Sequence, residues 1–175
     1  MFRREAGPGV IHEIGFRCQK KSWGAAVVYA EAGVLIPELQ EIAAELLIDS
    51  SRPAPDSFVG HLMEFTRGDR INTMWEFHDL DGCREQLRRI WSELREHVLA
   101  SLGQFEKVQD AVKVHDIGDF GFLAFDIKQV MVAIELARQE RVEEGRDLIA
   151  HVFSDRRDRK DGAIILEAYD EMFGG

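Results

Sequence analysis

The stretch Val10-Ile11-His12-Glu13-Ile14-Gly15-Phe16-Arg17-Cys18, with the run Ala25 to Leu35 and the segment after Pro37 behind it, decides the fold. Its even positions (Val10, His12, Ile14, Phe16, Cys18) are apolar with one exception. Its odd positions (Ile11, Glu13, Gly15, Arg17, Gln19) are polar or small with one exception. That period of two predicts a half-buried strand. Lys20-Lys21-Ser22-Trp23-Gly24 reads as a polar turn closed by glycine. Ala25 to Leu35 is then apolar on both faces, broken only by Glu31, and predicts a more central strand paired with the first as a hairpin. Pro37 suits the first turn of a helix, where its missing N–H costs nothing. Leu39, Ile42, Ala43, Leu46 and Leu47 form one apolar stripe, with Glu38, Glu41 and Glu45 off it. Glu38 and Glu41 sit near the positive end of the helix dipole. The unit is strand, turn, strand, helix.

Length and composition set the outer bounds. The 175 residues suffice for one ordinary domain, or one domain with a helical extension. The chain is 45% apolar and 31% charged, as soluble globular proteins are. Its formal charge of -10 argues against nucleic acid as a partner, because backbone binding needs clustered Lys and Arg. No apolar run is long enough to span a membrane and none resembles a signal peptide, so a cytoplasmic location is expected. Cys18, on the apolar strand face, and Cys83, at a helix start, read as buried reduced thiols. Neither belongs to a CxxC or a Cys/His cluster, so no metal or other cofactor is implied. Met1-Phe2-Arg3-Arg4 runs almost directly into the first strand, which leaves room for an upstream element absent from this sequence.

Along the chain, Asp49 to Asp56 is a loop rich in Ser and Pro. Ser57 to Phe65 alternates as a strand, although a helical turn also fits Val59, Leu62 and Met63. Arg67-Gly68-Asp69-Arg70 is a turn, and Ile71, Thr73, Trp75 and Phe77 line one face of a further strand. This predicts a second hairpin and a sheet of about four antiparallel strands. After Asp79 to Asp81, the residues Cys83, Leu87, Ile90, Trp91, Leu94, Val98 and Leu102 predict one buried helical stripe ending at Gly103. A short helix is expected around Phe105 to Val112. His115 to Gly121 reads as the internal boundary, giving an α+β sheet domain over 1–114 and a helical extension over 115–175. The extension carries three stripes: Ile127, Val130, Met131, Ile134 and Ala137; Leu148, Ile149, Val152 and Phe153; Ile165, Leu166, Tyr169, Met172 and Phe173. Ala133, Ala137 and Gly145 are small enough to let two helices approach. A single helical pair cannot bury its own faces, so it is expected to pack on the sheet domain.

Several groups of residues are candidates for chemistry. His78-Asp79 sits where a strand meets a helix, and His78 could act as a general base oriented by a carboxylate. The plainer reading is that Asp79 or Asp81 caps the helix. His12 and His61 would join His78 in a three-histidine metal site only if the sheet paired suitably, and spacing alone does not establish it. His115, Asp116 and Asp119 lie on a Gly-rich loop, whose polarity is explained by the loop itself. Asp119-Phe120-Gly121 lacks every companion of the kinase magnesium motif. Arg156-Arg157-Asp158-Arg159-Lys160 reads as a solvated link between helices. Trp75, on a strand, is also an interface candidate, although it reads first as core. Trp23, beside Lys20 and Lys21 at a turn tip, is the better interface candidate.

Phe2-Arg3-Arg4, Gln19-Lys20-Lys21-Ser22, Gly33-Val34 and Trp75-Glu76 together resemble the pattern of a bacterial family known only as a domain of unknown function, over roughly residues 2–110. Members usually carry a helix before the first strand and two adjacent Trp where this chain has Met74-Trp75, and both features are missing here. The resemblance implies an α+β fold and no catalytic residue. It also implies an association with toxin-immunity and small adaptor proteins. The sequence therefore predicts a non-enzymatic binding protein that engages a protein partner or itself. A small hydrolase or metal-binding protein using His78 is the alternative, and a homodimer subunit held through Trp23 and a strand edge is a third.

Overall fold

In the computed structural model, which describes residues 2–20, 22, 24, 26–53, 74–77, 80–116, 128–155 and 159–174, the expected hairpin lies at the centre of the sheet. Strand β2 (Val10–Lys20) pairs antiparallel with β3 (Ala26–Leu35) from Ile11↔Leu35 to Lys20↔Ala26. On one side β1 (Phe2–Gly7) adds to β2, and on the other β4 (Met74–Phe77) adds to β3, giving the order β1-β2-β3-β4. The fold is α+β with one antiparallel sheet among the described residues. Strand β1 is the element that alternation does not reveal, because Phe2-Arg3-Arg4-Glu5-Ala6-Gly7 has no clean period of two. Its signal is the dipeptide Pro8-Gly9, which makes a two-residue turn with Gly9 at φ 76°, where only glycine sits without strain. The pairing register slips by one residue between Glu5 and Gly7 to accommodate this turn. Arg3 and Glu13 lie opposite each other and form an ion pair across the ribbon. The expected strand from Ser57 to Phe65 and its turn to Arg70 lie outside the described residues. Of the expected boundary His115 to Gly121 only His115 and Asp116 are described, and of the expected link Arg156 to Lys160 only Arg159 and Lys160, and all four are helical instead.

Helix α1 (Pro37–Leu46) forms as its stripe predicts. Leu39, Ala43 and Leu46 are buried, Ile42 is partly so, and Glu38, Glu41 and Glu45 face solvent. Helix α2 (Leu80–Glu93) runs through a π turn (Leu94–Val98) into α3 (Leu99–Leu102). The expected short helix after it is instead a 3-10 turn (Val108–Val112) leading into α4 (Lys113–Asp116). Asp110 shapes that turn. Its carboxylate accepts the backbone N–H of Lys107 at 2.8 Å and of Glu106 at 2.9 Å, and it pairs with Lys113 at 2.8 Å. Partial burial works against the charged form, but these bonds from Lys113, Lys107 and Glu106 together hold the carboxyl below its usual value.

The C-terminal helices are α5 (Gln129–Arg138), α6 (Val142–Val152) and α7 (Arg159–Phe173). Every residue of α5 from Val130 to Ala137 is buried, so α5 is a central helix and its predicted stripe understates it. One continuous core joins Val10 and Val34 of the sheet to Leu39, Leu102, Met131 and Tyr169. The burial of α5 includes Glu135, only 2% exposed. Gln139 donates to its Oε1 at 3.0 Å, and Arg138 lies 3.7 Å from its Oε2 while also reaching Glu38 of α1 at 2.9 Å. Small residues let α5, α6 and α7 meet, as expected: a Cβ on Gly145 would lie 2.6 Å from the Ala133 carbonyl and 2.2 Å from the Tyr169 hydroxyl. That hydroxyl donates to the Val142 carbonyl at 3.1 Å, with the Ala133 carbonyl at 3.3 Å, and so ties the three helices together. On α7, Gly162, Ile165 and Tyr169 are buried and Phe173 packs against Tyr169, but Met172 is exposed.

The cysteines differ from expectation. Cys18 is exposed and Cys83 is half-buried, and both are free thiols. Strand β2 is eleven residues long, and its apolar face is buried at Val10 and His12 but exposed from Phe16 onward.

Two outcomes follow from the helix contacts. Gly145→Ala is expected to lower the unfolding free energy by about 1–3 kcal/mol, the usual cost of overpacking, in urea titrations. Burial, with the nearby charges of Asp170 and Glu143, raises the Tyr169 phenol from 10.0 to about 12. A folded-state pKa above the unfolded one means that the stabilisation is intact below pH 10 and is lost as pH rises towards 12. Over that interval the wild type is expected to lose about 1–3 kcal/mol more stability than Tyr169→Phe does.

Candidate functional site

The helix of residues 80–102 carries two apolar stripes where the sequence predicts one. Ile90, Leu94, Val98 and Leu102 are buried and recur at every fourth residue. In a regular α-helix, at about 100° per residue, a four-residue step overshoots a full turn, and such a series drifts round the surface. The π turn at Leu94–Val98 winds less per residue and brings Val98 back onto the buried face. Leu87 and Trp91 are thereby left on a neighbouring face, 56% and 60% exposed, and Leu99 continues their line. The expected single stripe from Cys83 to Leu102 is corrected accordingly: Leu87 and Trp91 are not core residues.

Opposite this second stripe lies the β1–β2 ribbon. The register Phe2↔Ile14 and Arg4↔His12 places Phe2, Arg4, His12, Ile14 and Phe16 on one face. Phe2 and Phe16 meet edge to face with ring centroids 6.3 Å apart, and both remain exposed. Between ribbon and helix is a cavity of about 420 Å³. Its walls are Phe2, Ile14 and Phe16 on the sheet side and Trp91, Leu94, Leu99 and Leu102 on the helix side, with His12, Arg3 and Arg4 as the polar groups. Such a size, with mostly apolar walls and a few polar groups, is that of a binding pocket.

His12 is 5% exposed and forms part of the cavity floor. Its Nε2 lies 2.7 Å from the Phe105 carbonyl oxygen. A carbonyl only accepts, so Nε2 is the donor in this contact. No carboxylate among the described residues contacts this imidazole, and Glu13 lies on the opposite sheet face. Of its proposed companions, His61, His78 and Asp79 lie outside the described residues, as do Trp23 and Lys21. Lys20 is exposed at the end of β2, and the backbone of Trp75 in β4 pairs with Val28 of β3. Among the described residues no group of three or more His, Cys, Asp or Glu could hold a metal ion, and no helix is long and apolar enough to cross a membrane.

The chain matches no protein-family model, no curated protein and no solved structure. Its function has to be argued from the groove itself.

The residues that sequence reasoning missed are Leu87, Trp91 and Leu99, together with Phe2. The available signal was the width of the apolar pattern. Leu87, Ile90, Trp91, Leu94, Val98, Leu99 and Leu102 cover more of a helix than one packed face needs. The two stripes make a direct contrast in stability. Trp91→Ser is expected to change the unfolding free energy by no more than about 0.5 kcal/mol. Leu94→Ala, one turn away, is expected to cost about 2–5 kcal/mol. Equal losses for both would mean that Trp91 is core.

Proposed function

We propose that the chain is a non-enzymatic binding module, adaptor- or immunity-like, that engages a protein partner through the groove between the β1–β2 ribbon and the helix of residues 80–102. The observation that carries this reading is the apolar patch at the groove: exposed Trp91, Leu99, Phe2 and Phe16 line a cavity of about 420 Å³, and exposed Leu87 extends the helix side of the patch. Contiguous exposed apolar surface of this kind marks an interaction site, whereas isolated apolar residues do not. Tryptophan is among the residues most enriched where binding energy concentrates. The binding reading also fits His12, whose Nε2 is committed to the Phe105 carbonyl. A cytoplasmic setting belongs to the same reading, since the exposed Cys18 and the half-buried Cys83 are both unpaired and would persist as thiols in a reducing compartment.

Photo-crosslinking from within the groove tests the proposal. A photoreactive phenylalanine analogue at position 91 is expected to give a discrete protein adduct in the cells that make the protein. The same analogue at Met172, an exposed apolar position on α7, is expected to give none. Adducts of equal yield at both positions, or at neither, would refute a groove-centred interface.

A further inference from the structure

The charges around the groove differ from those of the rest of the chain. The formal charge is -10, yet the groove-forming segments Phe2–Lys20 and Leu80–Leu102 hold eight basic residues against six acidic ones. At about 100° per residue, Arg84, Leu87, Arg88, Trp91 and Arg95 share one sector of the helix, and Glu85 and Glu96 fall outside it. Arg84, Arg88 and Arg95 are exposed, as is Arg4 on the opposite wall. None of these four arginines pairs with a carboxylate among the described residues, whereas Arg3, Arg138, Arg141 and Arg146 each do.

Resting on the binding reading above, we infer that the groove's occupant is an acidic amphipathic helix or peptide segment of a protein partner, with apolar side chains in the cavity and carboxylates against Arg4, Arg84, Arg88 and Arg95. The spacing decides for a peptide over a single anionic small molecule. Arg84 to Arg95 spans about 16 Å of helix, at 1.5 Å per residue, more than one headgroup reaches. A peptide laid along the groove presents several carboxylates at that spacing and its apolar face at i, i+3, i+4 and i+7. The charge of the whole chain decides against an anionic membrane, which would repel the acidic remainder of the surface. Guanidinium groups also suit carboxylates through bidentate bonding.

The test uses the full chain with a fluorescein-labelled synthetic helix of about 15 residues, leucine and phenylalanine on one face and glutamate on the other. Fluorescence anisotropy is expected to show saturable binding that weakens with added salt. Arg84→Glu/Arg88→Glu/Arg95→Glu is expected to weaken it by roughly tenfold, as the loss of three exposed ion pairs would. Equal binding of a lysine-substituted helix would overturn the inference, as would binding to phosphatidylglycerol vesicles in place of the peptide. So would a stable dimer, by light scattering, that buries Trp91. Nile red, a neutral apolar dye, separates the two levels of the argument. If Nile red binds the wild type but not Leu99→Arg, and the acidic helix does not bind, the occupant is wrong and the groove stands. If Nile red also fails to bind, the groove reading itself falls.

Discussion

The hydrogen bond from His12 to the Phe105 carbonyl sets how far the sheet stands from the helical layer. It links the middle of β2 to the loop that follows α3, two segments far apart in sequence. Beside it, Gly7 lies so close to Glu106 that a Cβ would sit 2.0 Å from that carbonyl oxygen. These two contacts hold the ribbon to the end of the helix at its Val10 end. Towards Phe16 no comparable contact is found among the described residues, and the cavity opens there. A histidine in this place supplies a rigid donor to the Phe105 carbonyl at the boundary between core and groove, which a leucine would not.

The sequence was read most reliably where one periodicity applied without competition. The β2–β3 hairpin and α1 follow their patterns almost residue by residue, and the small residues of α5 and α6 mark a real close approach. The failures have physical causes. Strand β1 is held by its neighbour and by the Pro8-Gly9 turn, so its own residues need not alternate. Helix α5 is buried on all sides, and no stripe can report that. The groove was illegible for a subtler reason. A stripe is read by assuming a constant angle per residue, and the π turn breaks that assumption within Leu94–Val98. Two faces therefore merge into one stripe, in which exposed Leu87 and Trp91 look like core. The groove's other wall was hidden because Phe2 belongs to the strand that went unread.

Chemistry was harder to read than architecture. Histidines attract attention as bases and ligands, yet His12 serves as a donor to a backbone carbonyl. The arginines that distinguish the groove are invisible in composition, because the rest of the chain is acidic enough to mask them in the net charge. They emerge only when residues are sorted by helix face and by whether a carboxylate answers them. Arg3 shows the contrast, since it sits one residue from Arg4 and is already paired with Glu13.

The π turn has one more effect. It acts as a phase shifter between the two halves of a single helix. Upstream, the residues that face outward are those of Arg84, Leu87, Arg88 and Trp91. Downstream, Val98 and Leu102 remain locked to the core. Because the turn absorbs the mismatch, substitutions in the upstream half can remodel the outward surface without disturbing the downstream packing. The two halves can thus vary separately while the interior stays constant.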